Sequence, residues 1–382
     1  MKYRVRLAAV ALFAATLAWR SCLGCPAAEA AGLQNANFIQ VEGPTLSARF
    51  ESTVKNASRE YQGHAFWIGY SFPVRPGIFT DCGITIGPGV VMGKGLQGGK
   101  VQEVRDLEIL FRYEGNRVEQ ARVFNLNREH DFGGAAVFWA GKVEASESVA
   151  FLKAMIDLRP PQEVGQICVT AIGLHEGPEA APVLEELAGA AYREHIRSAA
   201  ILEVGQFPGH CPFLSGLALD AHNSLELRKD AVFAIGASED ESALATLKSL
   251  YATATVHDLR KQLVFAVGVN KDRDAASFLI GLAKSESDTE IRKTAVFWMG
   301  QKAGDRTLEV LGDLAEANDE NIEIQKVALF AISQRPKDEA IPLLIRVAKT
   351  HPRAQVRKQA MFCLGQTGDD RAISFLEEVL TR

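Results

Sequence analysis

The block Leu227-Arg228-Lys229-Asp230-Ala231-Val232-Phe233-Ala234-Ile235-Gly236 returns at residues 259–268, 291–300, 324–333 and 356–365, with weaker copies at 164–173 and 196–205. Successive copies start 31 to 33 residues apart. A period in this range marks stacked supersecondary units, none of which buries its apolar face alone. Each copy predicts two helices. The first ends in Gly, which we read as a left-handed C-cap. A small residue stands seven positions later and a Leu eleven later, as in Ala243 and Leu247, Ala275 and Leu279, and Ala340 and Leu344. An Asp four after the Gly (Asp240, Asp272, Asp369) is a natural N-cap for the second helix. Pro208-Gly209-His210-Cys211-Pro212 disturbs the turn of the copy that starts at Ile196.

The pattern Val/Leu/Ile-Arg-x-x-Ala-x-x-Ala-Leu/Ile-Gly, followed by Asp and Ala at fixed offsets, resembles the short HEAT repeats named after phycobilisome lyases. The resemblance spans about residues 161–382. It implies an all-α solenoid of about seven helical pairs. For activity it implies only a bilin-lyase-like transferase as one option, because such repeats also serve scaffolds and adaptors.

With the first helix of each copy numbered 1 to 10, positions 1, 5, 8 and 9 fall within about 100° of arc and carry the apolar core stripe. Position 7 lies nearly opposite. It is Phe233, Phe265, Phe297, Phe330 and Phe362 in five consecutive copies. One turn earlier each copy has a lysine: Lys229, Lys261, Lys293, Lys326 and Lys358. Residues four apart share a helix face, so stacked copies place a Lys column beside a Phe column. Exposed aromatics bordered by cations suit a protein or peptide partner. The competing reading buries position 7 against neighbouring repeats and leaves the lysines as solvated decoration. Arg at position 2 is expected to have a structural role, pairing with acidic residues at repeat edges; it sits beside Glu226, Asp258 and Glu290 at position 0.

The remaining composition is unremarkable for a soluble protein: 382 residues, 47% hydrophobic, 23% charged, net charge −5. Bulk disorder is excluded, and a dedicated nucleic-acid binder would carry a basic surplus. Residues 1–31 read as a secretory signal peptide. Lys2, Arg4 and Arg6 lead an apolar run too short to span a bilayer, and a small-residue stretch follows. The protein is therefore expected in a periplasm or outside the cell. A membrane anchor is expected only if Cys25, which follows Gly24, is lipidated. Of the six cysteines, Cys82, Cys168, Cys211 and Cys363 follow this segment, and their spacing matches no metal or redox motif. Cys168 and Cys363 lie too many helix layers apart to bond, whereas pairing of Cys168 with Cys211 stays open.

Residues 33–145 have a different texture and predict a small β-rich domain. Short aromatic runs at 38–41 and 64–72 read as strands, and 104–113 and 117–125 flank Glu114-Gly115-Asn116 as a hairpin. Residues 146–160 read as a capping helix and linker ending in Pro160-Pro161. Gly93-Lys94-Gly95-Leu96-Gln97-Gly98 fits G-x-G-x-x-G, but strand-like residues follow it where a dinucleotide site needs a helix. A surface loop is the better reading. The eight histidines are scattered, and His175-Glu176 is a single pair where a dinuclear centre needs several ligands.

These observations predict an α+β multidomain chain: signal peptide 1–31, β-rich domain 33–145, capping helix and linker 146–160, and HEAT-type solenoid 161–382. The expected role is an exported, non-enzymatic interaction or scaffold protein that needs no cofactor or metal and can self-associate. Its candidate binding residues are the five phenylalanines and five lysines. The alternative is an enzyme at the junction of the two domains, using groups such as His130, Asp131 or Cys82.

Overall fold

The computed structural model describes residues 38–81, 84–87, 90–91, 102–124, 132–302, 304–317 and 321–381. Residues 1–31 with the expected signal peptide and Cys25, together with Cys82, residues 93–98, His130 and Asp131, lie outside the described residues. The chain divides into two compact units, Met1–Phe207 and Pro208–Arg382, and the fold is α+β with a HEAT-like helical stack.

In the first unit, β1 (Phe38–Gln40), β9 (Val137–Lys142), β2 (Ala65–Pro73), β7 (Asp106–Glu114) and β8 (Arg117–Phe124) form one sheet in the order β1-β9-β2-β7-β8. β9 runs parallel to β1 and β2, and the other pairings are antiparallel. The hairpin expected at Gly115 closes with Glu114 opposite Arg117, and Gly115 adopts φ 57°. A second sheet joins β3 (Phe79–Asp81), β4 (Ile84–Gly87), β5 (Val90–Val91) and β6 (Gln102–Glu103) in the order β5-β4-β3-β6.

The central strand β2 is buried almost end to end because both faces are covered. Phe66 and Tyr70 belong to one face, where Phe50 meets Tyr70, Phe111 and Phe151 at ring distances of 4.5–6.1 Å. Trp67 lies on the other, packed with Leu110, Phe124 and Val137. Phe50 belongs to α1 (Leu46–Glu60), a helix inside the domain that was expected to be strands and turns. Its buried stripe, Leu46, Phe50, Thr53 and Ala57, has helical spacing, and Thr45 caps it by accepting from Ala48 N. That stripe is thin, which hid it among polar residues. The unit continues through α2 (Ala145–Asp157), α3 (Gln162–Leu174), α4 (Ala180–Leu187) and α5 (Glu194–Val204).

The second unit opens with α6 (Cys211–Leu219) and continues as five helical pairs. The first helices are α7 (Leu225–Ala237), α9 (His257–Val269), α11 (Thr289–Gln301), α13 (Ile322–Ser333) and α15 (Ala354–Gly365). Their partners are α8 (Ala243–Thr253), α10 (Ala275–Ser285), α12 (Asp305–Glu316), α14 (Lys337–Thr350) and α16 (Asp370–Leu380). Position 1 is buried throughout, as Leu227, Leu259, Ile291, Ile324 and Val356, and so is position 9.

One expectation about a local role is corrected and another is extended. The repeat glycine is not a left-handed cap, since Gly236, Gly268 and Gly300 are helical and have no positive φ. Gly is required there because helices touch. A Cβ on Gly236 would lie 2.7 Å from Ala266 Cβ, one on Gly300 2.7 Å from Ala331 O, and one on Gly268 2.1 Å from Trp298 Cδ2. Position 10 of each first helix thus meets position 8 of the next.

Arg at position 2 pairs with an acid at a repeat edge in one copy, Arg260 Nη2 with Glu286 Oε2 at 3.0 Å, and caps a helix in others. Arg228 Nε donates to Ala218 O at 2.8 Å and Arg292 Nε to Ala283 O at 2.6 Å, each satisfying a carbonyl at the end of the preceding helix. In the first unit Arg197 Nε does the same to Ala188 O at 2.9 Å. Gln325 replaces the arginine in α13, and its Nε2 still reaches Ala315 O at 3.2 Å. Asp369 caps α16 through Arg371 N, while Asp240 and Asp272 accept from Ser242 N and Asp274 N in the turns leading into α8 and α10.

Candidate interaction surface

Positions 8 and 10 are about 160° apart on a helix. Since both touch neighbouring first helices, they define its two flanks. One arc between the flanks holds positions 1, 5 and 9, packed against the second helix. The opposite arc is the one left open, and position 7 falls in it. This geometry, rather than a simple inside–outside split, brings the phenylalanines together.

Phe233 and Phe265 meet at 6.2 Å between ring centroids, and Phe297 and Phe330 stack at 6.2 Å with planes 12° apart. Between these pairs stands Trp298, edge-on to Phe265 at 5.1 Å and to Phe297 at 5.6 Å. The five rings make one continuous ladder from α7 to α13. Phe362 in α15 is 61% exposed and has no ring partner among the described residues, Phe330 is 41% exposed, and Phe233, Phe265 and Phe297 are half-buried.

A groove of about 490 Å³ runs along this ladder, lined by Phe265, Phe297, Trp298 and Phe330 together with Lys261, Lys293 and Lys326. Three of the lysines hold the acid at position 0 of their own helix. Lys229 bonds Glu226 at 3.0 Å, Lys293 bonds Glu290 at 2.9 Å and Lys326 bonds Glu323 at 2.8 Å. Lys261 lies 4.0 Å from Glu290 of the next helix. Exposed pairs of this kind contribute only about 0–1 kcal/mol each, so the ammonium groups remain exchangeable. Lys358 is exposed, and Gln355 stands where its counterparts have an acid.

Trp298 was not foreseen as part of the surface. It occupies position 8, which is small in the other first helices of the second unit (Ala234, Ala266, Ala331, Cys363), and Gly268 opposite leaves room for the indole. The signal was present as a large residue in a small slot, facing a glycine one repeat earlier.

In the first unit the structure assembles a buried polar chain. His175 Nδ1 lies 2.6 Å from Ala171 O, so that nitrogen carries the proton and donates. Nε2, 2.7 Å from Ser148 Oγ, then accepts from the serine, whose oxygen in turn accepts from Tyr70 OH at 2.9 Å. Phe72 stacks on the imidazole at 4.2 Å. Burial lowers the His175 pKa to about 4 and raises that of Tyr70 well above its ordinary value. A Ser–His pair can activate a nucleophile, but Ser148 is wholly buried here, so its role is to satisfy polar groups in the core. His175-Glu176 is thus a structural feature and not a ligand pair.

Glu203, at position 8 of the irregular copy, lies against Gly173. Burial raises its carboxyl to about 7, opposed by Arg75 and by a hydrogen bond with Thr170. Arg75 Nε donates to Gly173 O at 3.0 Å. A second concavity of about 510 Å³ borders the sheet, with Tyr61, His64, Arg112 and Gln120 on its rim. Among the described residues no group of three or more His, Cys, Asp or Glu side chains is placed to hold a metal. Cys168, Cys211 and Cys363 are buried free thiols. Among the described residues no helix is long and apolar enough to cross a membrane.

Residues 308–382 match the family of HEAT repeats. The match spans most of α12 and all of α13 to α16. Solved structures similar to this chain include human deoxyhypusine hydroxylase in complex with glycerol, at 16% identity and TM-score 0.31, covering 61% of this chain and 90% of that one. The complex of CpcE and CpcF of phycocyanin lyase from Nostoc sp. is similar at 16% identity and TM-score 0.32, covering 40% and 97%. YibA of E. coli is similar at 18% identity and TM-score 0.33, covering 58% and 82%. No curated protein matches the chain.

Proposed function

We propose that the protein is an exported interaction module that holds a protein or peptide partner on the aromatic–lysine strip of its second unit. The observation that carries this reading is the ring ladder from Phe233 to Phe330, its four phenylalanines in the open arc of successive first helices, joined through the flank residue Trp298 and bordered by lysines. Large aromatic side chains that are only half-covered in a monomer lose their remaining hydration on binding, and such residues dominate interface energies. The export part of this reading is supported by the charge, apolar and small-residue order of residues 1–31.

Site-specific photo-crosslinking tests the assignment. Benzoylphenylalanine at position 330 is expected to give a discrete adduct in the native cell envelope, whereas the same probe at Lys284, exposed on a second helix, gives none. A discrete adduct from position 284 with none from 330 would place the interface elsewhere.

A further inference from the structure

The strip's two columns also specify what kind of chain fits it. Phenylalanines of adjacent helices meet at 6.2 Å in both pairs, Phe233–Phe265 and Phe297–Phe330, with the buried Trp298 between the pairs. An extended strand repeats its side chains on one side every two residues, about 6.6–6.8 Å, whereas a helix presents neighbours on one face about 5–6 Å apart but is about 10 Å wide. The lysine column runs one helical turn from the rings, about 5–6 Å to the side. A strand lying between the columns therefore turns alternate side chains toward rings and toward ammonium groups.

Charge fixes the second half of the specification. Lys261, Lys293 and Lys326 line the groove with Glu290 as the acid among its lining residues, and Lys326 also pairs with Glu323 beside it. Beyond it, Lys358 has Gln355 in place of the usual acid and stands beside Phe362, the most exposed ring of the five. Both positive charge and ring exposure thus increase toward α15. An incoming carboxylate can replace Glu290 or Glu323 at a lysine with little loss, because the pairs it displaces are exposed and weak. A polynucleotide, which also pairs cations with stacked rings, is disfavoured. That mode draws on a broad basic surface, which a chain of net charge −5 does not carry, whereas a short peptide needs only the few lysines of the groove.

We propose that the strip binds an extended peptide segment in which acidic and apolar residues alternate, the apolar ones seated along Phe265, Phe297 and Phe330 and the acidic ones on Lys261, Lys293 and Lys326. This rests on the interaction-module reading above and adds the partner's conformation and charge.

A fluorescently labelled peptide of four Glu-Leu repeats is the probe, followed by anisotropy on the full chain. Its controls are four Lys-Leu repeats, a block peptide of four Glu then four Leu, and a single-stranded oligonucleotide. The alternating acidic peptide is expected to bind at least tenfold more tightly than any control and to weaken several-fold between about 50 and 500 mM salt. The charge reversal Lys293→Glu with Lys326→Glu should weaken it at least tenfold, as should Phe297→Ala with Phe330→Ala. The salt titration on the unaltered protein stands whether or not a variant folds. Equal binding of the basic or block peptide, preference for the oligonucleotide, or absence of a salt effect overturns the proposal. If position 330 crosslinks a partner while the acidic peptide fails, the strip remains an interface and only this partner chemistry falls. If neither is seen, both fall.

Discussion

Substituting Gly268 by alanine tests the packing that opens the strip. The added Cβ would lie 2.1 Å from Trp298 Cδ2 and 2.2 Å from Cγ, well inside contact distance, and the atoms it meets belong to a rigid ring. The indole is 5% exposed and held edge-on by Phe265 and Phe297, so it cannot swing aside without breaking the ladder. Overpacking of this kind costs about 1–3 kcal/mol. Alanine's higher helix propensity returns about 0.8–1.0 kcal/mol, leaving a net loss of about 1 kcal/mol. Trp298→Ala alone should cost about 3–5 kcal/mol through the cavity it leaves. With the indole gone, the Gly268 methyl enters vacant space, and only the propensity gain remains. The double variant should therefore be more stable than the sum of the two singles predicts by about 1–3 kcal/mol. Hydrogen exchange of the α9 and α11 amides under native conditions reads the opening free energies of these helices directly. Additivity within about 0.5 kcal/mol would mean that Gly268 and Trp298 do not share a site, and the account of the open arc would fail with it.

Three further outcomes are expected. His175, held at about 4, stays neutral in the fold and protonates near 6.5 when unfolded. Its contribution is full above 6.5 and falls as pH drops toward 4, by up to roughly 3 kcal/mol. Glu203, held near 7, works in the opposite sense. Its burial penalty is present above 7 and is relieved as pH falls to 4.5, less a discount for the edge it exposes to solvent. Between 4.5 and 6.5 the two slopes oppose each other, so Glu203→Gln should make the first unit lose stability on acidification faster than the parent. Parallel pH profiles of the two denaturation midpoints would contradict this. Arg228→Ala removes a charged donor from the Ala218 carbonyl and should cost about 1.5–3 kcal/mol, seen as faster exchange at the end of α6 and the start of α7; unchanged exchange would remove the capping role. Expressed in a bacterium, the mature chain should begin after the small-residue stretch near residue 31, and intact-mass measurement showing residues 1–31 retained would rule out export by this leader.

The stack of helical pairs was legible because one residue pattern recurs with a fixed period, and each repeat adds the same constraint. Roles within the repeat were harder to read. A helical wheel treats each helix as having one buried side, but a first helix touches two neighbours as well as its partner. Gly236, Gly268 and Gly300 therefore act in side-to-side contact, which their place at the end of the pattern disguised as capping. The same limitation hid a second role of the arginines, since Arg260 meets an acid at a repeat edge while Arg228 and Arg292 cap a helix. Arg228 sits beside Glu226 in sequence, yet its planar donors reach a helix-terminal carbonyl ten residues back, and the shorter route to the acid goes to Lys229. In the first unit, α1 escaped notice because four buried positions in fifteen give a weak pattern. The Tyr70–Ser148–His175 chain was invisible because its members are far apart in sequence and meet only through the packing of β2, α2 and α3.

The most direct measurement is fluorine NMR of the protein labelled with 4-fluorophenylalanine, titrated with the partner crosslinked at position 330. The account predicts that resonances of Phe265, Phe297 and Phe330 shift or broaden on binding while those of Phe50, Phe72 and Phe111, enclosed in the first unit, stay unchanged. Saturable binding that leaves the three strip resonances where they were would contradict it.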